Sequence, residues 1–363
     1  MKQNEIRIPE LEARWRWPRA VSPFLPEVGR ESLEWSASFH AFDPEMQRLV
    51  HDKGKLNLLA GMCYAGMPKD AVRWGCDIMH LFFMFDEHSD TASPDEVWQQ
   101  ARIQIDAFCR PTKPRPEGEW VGGEFARQFW LRMPNTATHT FKRRFLGSWI
   151  SYVESVAWQA EHRSQSRILD LDSYFPLRRN TSGAPSTIIL WEMDLDIPDH
   201  VRNHPTIRHL ETLAVDLIVI ANDLLSYNKE QAVGDDQHNI VTIIMKQFRL
   251  GVQDAIDKAG ELSDQKIAQF VHLYVHWVPR WVGPVDLDVQ KLIHGMATCV
   301  SGVLHWSYES QRYFGQHGLR VKETRRVRLL PRSNVVGTQA VPDEGPEHLV
   351  DMSSDVRIQL AMA

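Results

Sequence analysis

Cysteine is scarce in this chain of 363 residues, and basic residues are not in excess. The four cysteines, Cys63, Cys76, Cys109 and Cys299, show no CxxC spacing, which argues against a zinc site or a disulfide framework. A net charge of −6 argues against a nucleic-acid-binding protein. The chain contains no run of about 20 apolar residues and no apolar signal peptide, so we expect a cytoplasmic protein without a membrane span.

The alternating pattern of a half-buried strand is also missing, and no internal repeat occurs. Most of the chain shows apolar residues at three- and four-residue intervals, which predicts an all-α single domain over residues 31–332. Residues 1–30, rich in Pro and Trp, are expected to form an extended arm, and residues 333–363 a mobile tail. Loops are predicted at residues 111–123, with three Pro and three Gly, and at residues 173–185, SYFPLRRNTSGAP.

One apolar segment, LETLAVDLIVI at residues 210–220, contains neither Pro nor Gly and predicts a buried helix that continues into ANDLLSYNKE. Asn222, Ser226 and Glu230 then lie four residues apart, so their side chains stack on one helix face. An amide, a hydroxyl and a carboxylate oxygen are suited to a small hard cation such as Mg²⁺. Taken alone, the triad is equally typical of a solvated helix end.

A second oxygen-rich face is predicted in FDEHSD, residues 85–90, which directly follows the apolar segment LFFMF. Asp86 and Asp90 lie on one side of this helix, with Glu87 next to Asp86. Carboxylates placed so close together repel one another unless a positive charge lies between them. Each face alone has an ordinary explanation at a helix end, but two such faces beside one apolar cavity favour Mg²⁺ shared with a polyphosphate.

A bound diphosphate would also need cationic side chains that donate hydrogen bonds. The candidates are Arg178 and Arg179 in PLRRNTSG, Lys229 beside the second face, and Arg312 in SYESQRYFG. Each of these side chains on its own is typical of a protein surface.

These motifs resemble those of class I terpene synthases. FDEHSD resembles the aspartate-rich D(D/E)xxD motif, and NDLLSYNKE resembles the second metal motif, (N/D)D(L/I/V)x(S/T)xxxE. RRNTSG stands where these enzymes keep a diphosphate-sensing arginine, and the pair Arg312–Tyr313 follows near the C-terminus. The similarity extends from about residue 15 to residue 330 and is closest to fungal sesquiterpene synthases. Glu87 replaces the second aspartate of the family motif.

The resemblance implies a helical bundle around a central apolar cavity, and a carbon–oxygen lyase that ionises farnesyl diphosphate and cyclises the carbocation. It implies three Mg²⁺ ions, held by Asp86, Asp90, Asn222, Ser226 and Glu230. It implies diphosphate contacts from Lys229, Arg312, Tyr313 and one of the two adjacent arginines. Counting back from Gly183 favours Arg179 over Arg178 for the last of these roles.

Aromatic faces stabilise a carbocation without acting as nucleophiles. Phe82 and Phe83 lie one turn before Asp86, and at least one of them is expected to face the cavity. Trp306 is the first downstream candidate, followed by Trp158. The sequence suggests no catalytic histidine, and His88, inside the first motif, is expected to be solvated.

The basic side chains Arg325, Arg326 and Arg328 allow two interpretations. They either close over bound diphosphate or form a solvated basic run.

Two other functions fit a helical chain with acidic motifs. A chain-elongating prenyl diphosphate synthase uses the same scaffold but carries aspartate-rich motifs on both helices. A non-catalytic helical binding protein would not need intact ligands at every motif position. The DEHSD variant resembles that of fungal enzymes that close the ring between C1 and C11 and form protoilludene-type skeletons. The sequence leaves open the product, the chain length of the substrate, and the choice between monomer and homodimer.

Overall fold

A long buried helix, α11 (Pro205–Val233), is the element around which the others pack. His204 caps its first turn, since the imidazole accepts a hydrogen bond from the Thr206 N–H. Gly234 ends the helix in the left-handed conformation (φ +83°), which glycine adopts without steric cost. The predicted core helix is thus present, and it ends one turn after Glu230.

The structure is a computed structural model that describes residues 5–164 and 169–332. The tail expected at residues 333–363 lies outside these ranges. Within them, α11 packs against α13 and α14, α14 against α3, and α7 against α5 and α8. Their buried apolar side chains form one continuous core. The helices are α1 (Leu25–Ala37), α2 (Pro44–Arg48), α3 (Leu56–Cys63), α4 (Lys69–Thr91), α5 (Pro94–Cys109), α6 (Gly122–Leu131), α7 (His139–Ser164), α8 (Leu171–Thr181), α9 (Ala184–Ile188), α10 (Asp199–Arg202), α11, α12 (Ile240–Phe248), α13 (Val252–His276), α14 (Pro284–Glu309) and α15 (Gly318–Thr324).

The described ranges also contain shorter segments. A π-helix spans Leu49–Lys53, and 3₁₀ turns span Ile189–Glu192 and Gly315–His317. None of the helices in these ranges is long and apolar enough to cross a membrane.

The expectation that the chain has no strand is wrong. β1 (Glu5–Arg7) pairs antiparallel with β2 (Arg326–Arg328), and Ile6 stands opposite Val327. Both of these apolar side chains are buried. Each strand has only three residues, which is too short for alternation to be recognised in the sequence.

The prediction of a loop at residues 173–185 is wrong for most of its length, because residues up to Thr181 belong to α8. Pro176 removes one backbone donor from this helix, and proline usually ends a helix. Here Asp170 caps the first turn by accepting from the Ser173 N–H. Tyr174, one residue further along, is buried and anchors the helix to α11. Tertiary packing therefore compensates for the backbone hydrogen bond that α8 loses at Pro176.

Candidate active site

A cavity of about 560 Å³ lies between α4, α7, α8, α11 and α14. Its polar end is formed by the carboxyl-terminal turns of α4 and α11, and its walls contain several aromatic rings. Ten of the site residues predicted from the sequence line this cavity: Phe82, Asp86, Asp90, Asn222, Ser226, Lys229, Glu230, Trp306, Arg312 and Tyr313.

The α4 side of the cavity mouth carries Asp86 and Glu87, and Arg312 holds both. The Arg312 guanidinium donates to Glu87 Oε1 at 3.0 Å and lies 3.5 Å from Asp86 Oδ2. The same guanidinium lies 4.5 Å from the centre of the Phe83 ring. Arg312 follows α14 closely, and its neighbour Gln311 is fixed by a backbone hydrogen bond to Lys53 O at 2.8 Å. The predicted arginine near the C-terminus thus reaches the first acidic motif.

Asp86 is a carboxyl group in an unfavourable position for a negative charge. Half of its side-chain surface is accessible, and the residue lines the cavity. Burial, and then the neighbouring Asp90, raise the pKa of Asp86 to about 7, although Arg312 acts in the opposite direction. The same kind of burial raises the pKa of Asp90.

Asp90 has a partner that sequence reasoning missed. Arg163, on α7, donates to Asp90 Oδ1 at 3.2 Å and to the backbone oxygen of Ser89 at 2.8 Å. Arg163 belongs to a face of α7 that lines the cavity, with Tyr152, Val156 and Gln159 at intervals of four, three and four residues. That spacing was visible in the sequence, but nothing in it showed that this face meets the acidic motifs.

The α11 side of the mouth carries the second predicted motif. Asn222 donates through Nδ2 to the Tyr313 hydroxyl at 2.8 Å, which links it to the segment after α14. Glu230 accepts from Asn239 Nδ2 at 2.9 Å. Burial, followed by the charge of Asp223, raises the pKa of Glu230 to about 7. Lys229, next in sequence, has a lowered pKa because of its burial and the nearby Arg312.

Asp223 lies behind this face and is fully buried. Its carboxylate accepts hydrogen bonds from the Tyr174 hydroxyl at 2.5 Å and from the Ile240 N–H at 2.8 Å. Arg178 donates to it through Nε at 3.2 Å and Nη2 at 3.0 Å. The second motif is therefore held in place from α8 and α12.

Arg178, and not Arg179, faces the cavity. Arg178 lines the cavity wall and donates through Nη2 to Asn222 Oδ1 at 2.8 Å. Arg179 does not line it; its guanidinium binds the buried Asp216 at 2.6 and 2.9 Å, which Lys266 also contacts. The preference for Arg179 over its neighbour Arg178 is therefore wrong, because Arg178 is the member of the pair that lines the cavity. Arg178 is i+4 from Tyr174, so both lie on the face of α8 that meets Asp223.

The aromatic predictions have mixed outcomes. Phe82, Phe83 and Trp306 line the cavity, and Trp306 Nε1 is fixed by the Gly54 carbonyl at 2.7 Å. Trp158 does not line it and is 45% exposed, because it lies on the opposite face of α7. Tyr152 is the aromatic residue of α7 that lines the cavity instead. The centroid of its ring lies 5.0 Å from that of Phe82.

The expectation that His88 is solvated is wrong. Its Nδ1 accepts from the Trp120 indole N–H at 2.9 Å, so its Nε2 donates to the Ala41 carbonyl at 3.0 Å. Both nitrogens are satisfied, which identifies a packed histidine without a role in the cavity.

The C-terminal arginines lie away from the cavity. Arg325 pairs with Glu10 and Arg326 with Glu5, on the amino-terminal arm. Arg325, Arg326 and Arg328 do not line the cavity. Of the two interpretations, the structure shows the basic run on the surface. Two of its members, Arg325 and Arg326, form ion pairs.

The oxygen donors at the mouth fit a hard divalent cation, and they are divided between α4 and α11. In the part of the chain that the structure describes, no three His, Cys, Asp or Glu side chains form a group that could hold a metal ion. Burial, and then a neighbouring carboxylate, raise the pKa values of Asp86 and Glu230, and a bound cation would offset both effects. Mg²⁺ is commonly held by one or two carboxylates together with phosphate oxygens. The donor set therefore fits metal ions shared with a phosphate ligand.

Comparisons with known proteins show which proteins this chain resembles. The family model described as terpene synthase family 2, C-terminal metal binding, matches residues 77–269. Over 94% of its length the chain is 43% identical to a Delta(6)-protoilludene synthase of Stereum hirsutum, covering 93% of that protein. It is 41% identical to the Delta(6)-protoilludene synthase of Armillaria gallica, with 93% and 98% of the two chains covered. It is 38% identical to sesquiterpene synthase 9 of Postia placenta, with 92% and 96% covered.

Solved structures show the same fold. A variant of cucumene synthase superimposes with a TM-score of 0.71 at 22% identity, over 82% of this chain and 98% of the other. Germacradien-4-ol synthase from Streptomyces citricolor gives a TM-score of 0.68 at 20% identity, over 80% and 97%. The predicted all-α fold is confirmed by these matches.

Proposed function

Since the chain belongs to terpene synthase family 2 and is a sesquiterpene synthase, we propose that it ionises farnesyl diphosphate and cyclises the cation to a protoilludene-type hydrocarbon. One observation carries the proposal. A single cavity has a polar mouth with two oxygen-rich helix faces and four basic side chains, above walls that carry aromatic rings.

At the mouth, the cationic side chains Arg178, Lys229 and Arg312 would receive the diphosphate, and Tyr313 would donate a hydrogen bond. Arg178 and Arg312 are already oriented, because each is held by carboxylates of a motif. Planar guanidinium groups donate paired hydrogen bonds to phosphate oxygens, so these two residues suit a leaving diphosphate.

The metal ions proposed here would be held by Asp86 on α4 and by Asn222, Ser226 and Glu230 on α11, with Asp90 at the edge. When bound, Mg²⁺ supplies Lewis-acid stabilisation of negative charge on the leaving group. Three ions remain our expectation for the complex. The protein's own part is to place oxygen donors on both sides of the diphosphate.

Below the mouth, Phe82, Phe83, Tyr152 and Trp306 surround the space for the prenyl chain. A volume of about 560 Å³ is within the range of about 300–1,000 Å³ that is usual for small-molecule pockets. Aromatic faces attract a positive charge, and an apolar chamber keeps water away from the carbocation. The rings thus stabilise the cation and delay its quenching.

The product proposal rests on the relatives that are named Delta(6)-protoilludene synthases at 43% and 41% identity. Formation of that skeleton starts with closure between C1 and C11 and ends with loss of a proton. The released diphosphate is a base near the mouth and would accept that proton. We further propose that the protein acts in the cytoplasm, as a monomer or a homodimer.

The first experiment is incubation of purified protein with farnesyl diphosphate, with and without Mg²⁺, followed by gas chromatography–mass spectrometry. We expect a cyclic C15 hydrocarbon only with Mg²⁺, with the retention time and spectrum of protoilludene. Another cyclic C15 product would refute the product and keep the reaction. Product from geranyl or geranylgeranyl diphosphate alone would correct the chain length. Consumption of added isopentenyl diphosphate would instead indicate chain elongation, which no observation in the cavity favours.

A further inference from the structure

The loop between α11 and α12, residues 234–239, brings a histidine to the cavity that no motif includes. His238 lines the cavity together with Asp235 and Gly234 of the same loop. The sequence suggested no role for this residue, which lies eight positions after Glu230.

One nitrogen of His238 is buried without a hydrogen bond. Its Nε2 has no partner among the described residues, although the ring lines a polar part of the cavity. Buried polar atoms are nearly always paired, because the loss of hydration is otherwise uncompensated. The atom itself has almost no accessible surface, so a ligand in the cavity becomes its partner when the ring turns about the Cβ–Cγ bond.

The surroundings of His238 favour an anionic ligand. Burial, and then the charges of His162, Arg178 and Arg163, lower the pKa of His238 to about 4. The ring is neutral near pH 7 and carries one N–H, so with the proton on Nε2 it is a hydrogen-bond donor. Two guanidinium groups beside a neutral donor form an environment in which a phosphate oxygen is stabilised.

The loop is anchored on both sides of His238. On one side, Asp236 accepts from Thr242 Oγ1 at 2.7 Å and from the Arg332 guanidinium. On the other side, Asn239 donates through Nδ2 to Asp223 O at 2.8 Å and to Glu230. The position of His238 is thus set by the contacts of Asp236 and Asn239 on either side of it.

The Arg332 contact belongs to a segment that crosses α11, residues 328–332, here called the C-terminal strap. Asn228 donates to Arg328 O at 3.1 Å and accepts from the Leu330 N–H at 2.9 Å. Gln231 donates to Leu330 O at 2.9 Å. The strap therefore joins the outer side of α11 to the loop that carries His238.

We propose that His238 is a further diphosphate-binding residue, whose Nε2–H donates to a diphosphate oxygen in the substrate complex, and that the C-terminal strap positions it through Arg332 and Asp236. This inference rests on the proposed function, since it assumes a prenyl diphosphate in the cavity.

The test measures binding of inorganic diphosphate in the presence of Mg²⁺ by titration calorimetry, with no prenyl substrate. His238→Ala should weaken binding about tenfold, which is typical for a lost hydrogen bond to a charged group. His238→Gln, which keeps an N–H donor, should recover most of the affinity. The control is His209→Ala, an exposed position on α11. Unchanged diphosphate affinity in His238→Ala, with an altered product pattern, would place the residue at the prenyl chain and overturn the proposal.

The strap is tested in the same titration. Arg332→Ala should weaken diphosphate binding, whereas Arg326→Ala, which loses only the pair with Glu5, should not. The effects of Arg332→Ala and His238→Ala should not add in the double variant, because the first acts through the second. Additive losses would refute the positioning role. If His238→Ala fails to fold, His238→Gln and Arg332→Ala still decide the question.

The diphosphate titration also distinguishes a failure of the proposed function from a failure of the role of His238. If no prenyl diphosphate yields a product, the proposed function fails, while diphosphate binding still reports on His238. If farnesyl diphosphate is cyclised and the variants bind diphosphate like the original protein, only the role of His238 is lost.

Discussion

Two adjacent arginines on α8 point to different partners, and this gives a sharp test of the site. Arg178 faces the cavity and contacts Asn222, whereas Arg179 binds the buried Asp216. We expect Arg178→Ala to lower kcat/KM by a factor of about 10²–10³, as for other lost donors to a developing negative charge. Arg179→Ala should leave the turnover of folded protein nearly unchanged.

Both variants should be less stable, because each leaves a buried carboxylate with fewer partners. The melting temperature alone therefore does not distinguish them, and kcat/KM has to be measured beside it. A large loss of turnover in Arg179→Ala, with normal turnover in Arg178→Ala, would reverse the assignment made from the structure.

The second test at this scale concerns the oxygen donors of α11. Asn222→Ala or Glu230→Ala should abolish cyclisation, because each removes an oxygen donor from the α11 face that we propose holds a metal ion. The far-ultraviolet circular dichroism should be unchanged, since alanine favours the helix. Glu261→Ala on α13, an exposed carboxylate, is the control. Normal product formation in either of the first two variants would contradict the metal assignment.

Among the elements, the junction of α8 and α9 fixes the shape of the cavity. Gly183 lies between these helices at φ +67°, and a Cβ there would stand 2.8 Å from the Phe82 ring. Gly183→Ala should destabilise the protein by about 1 kcal/mol through its backbone conformation. It should also displace Phe82 and so change the distribution of products.

A matched glycine separates these two effects. Gly118 has φ +76°, but a Cβ at this position would meet no other atom within 4 Å. Gly118→Ala should therefore show a similar drop in unfolding free energy with an unchanged product pattern. The same products from both variants, measured by gas chromatography–mass spectrometry, would show that the contact between Gly183 and Phe82 does not shape the cavity.

The elements also show where sequence reasoning was sufficient. α11 could be predicted because its apolar segment lacks Pro and Gly, and because helix geometry alone places Asn222, Ser226 and Glu230 on one face. α8 could not, since Pro176 favours a break and the contact between Tyr174 and Asp223 is tertiary. A segment predicted to be a loop does not assign its two arginines to opposite helix faces. Only the distance from Gly183 then distinguishes Arg178 from Arg179.

At the scale of the whole molecule, the sequence does not show which distant segments pack together. Arg163 and His238 reach the mouth only because α7 and the α11–α12 loop pack beside the two motifs. No local pattern shows that arrangement. The three-residue strands at the two ends of the described chain are a similar case, since Ile6 and Val327 are distant in sequence but stand opposite each other, and both are buried.

The arrangement of the whole cavity predicts how its ligands bind. The donors are divided between α4 and α11, and no three His, Cys, Asp or Glu side chains among the described residues form a group that could hold a metal ion. Mg²⁺ alone and diphosphate alone should each raise the melting temperature only slightly. Together they should raise it by several degrees, because each ligand tightens the binding of the other, and tighter binding to the folded state gives more stabilisation. Differential scanning fluorimetry with each ligand and with both measures this directly.

The same titration in Glu230→Ala should lose most of the combined shift, because one side of the mouth then lacks its carboxylate. Addition of a chelator to the original protein should return the melting temperature to that of diphosphate alone. A full shift with Mg²⁺ alone would mean that the protein holds the metal without phosphate oxygens. In that case the two helix faces would have to approach each other more closely than they do here, and the metal ions could not depend on the substrate for their binding.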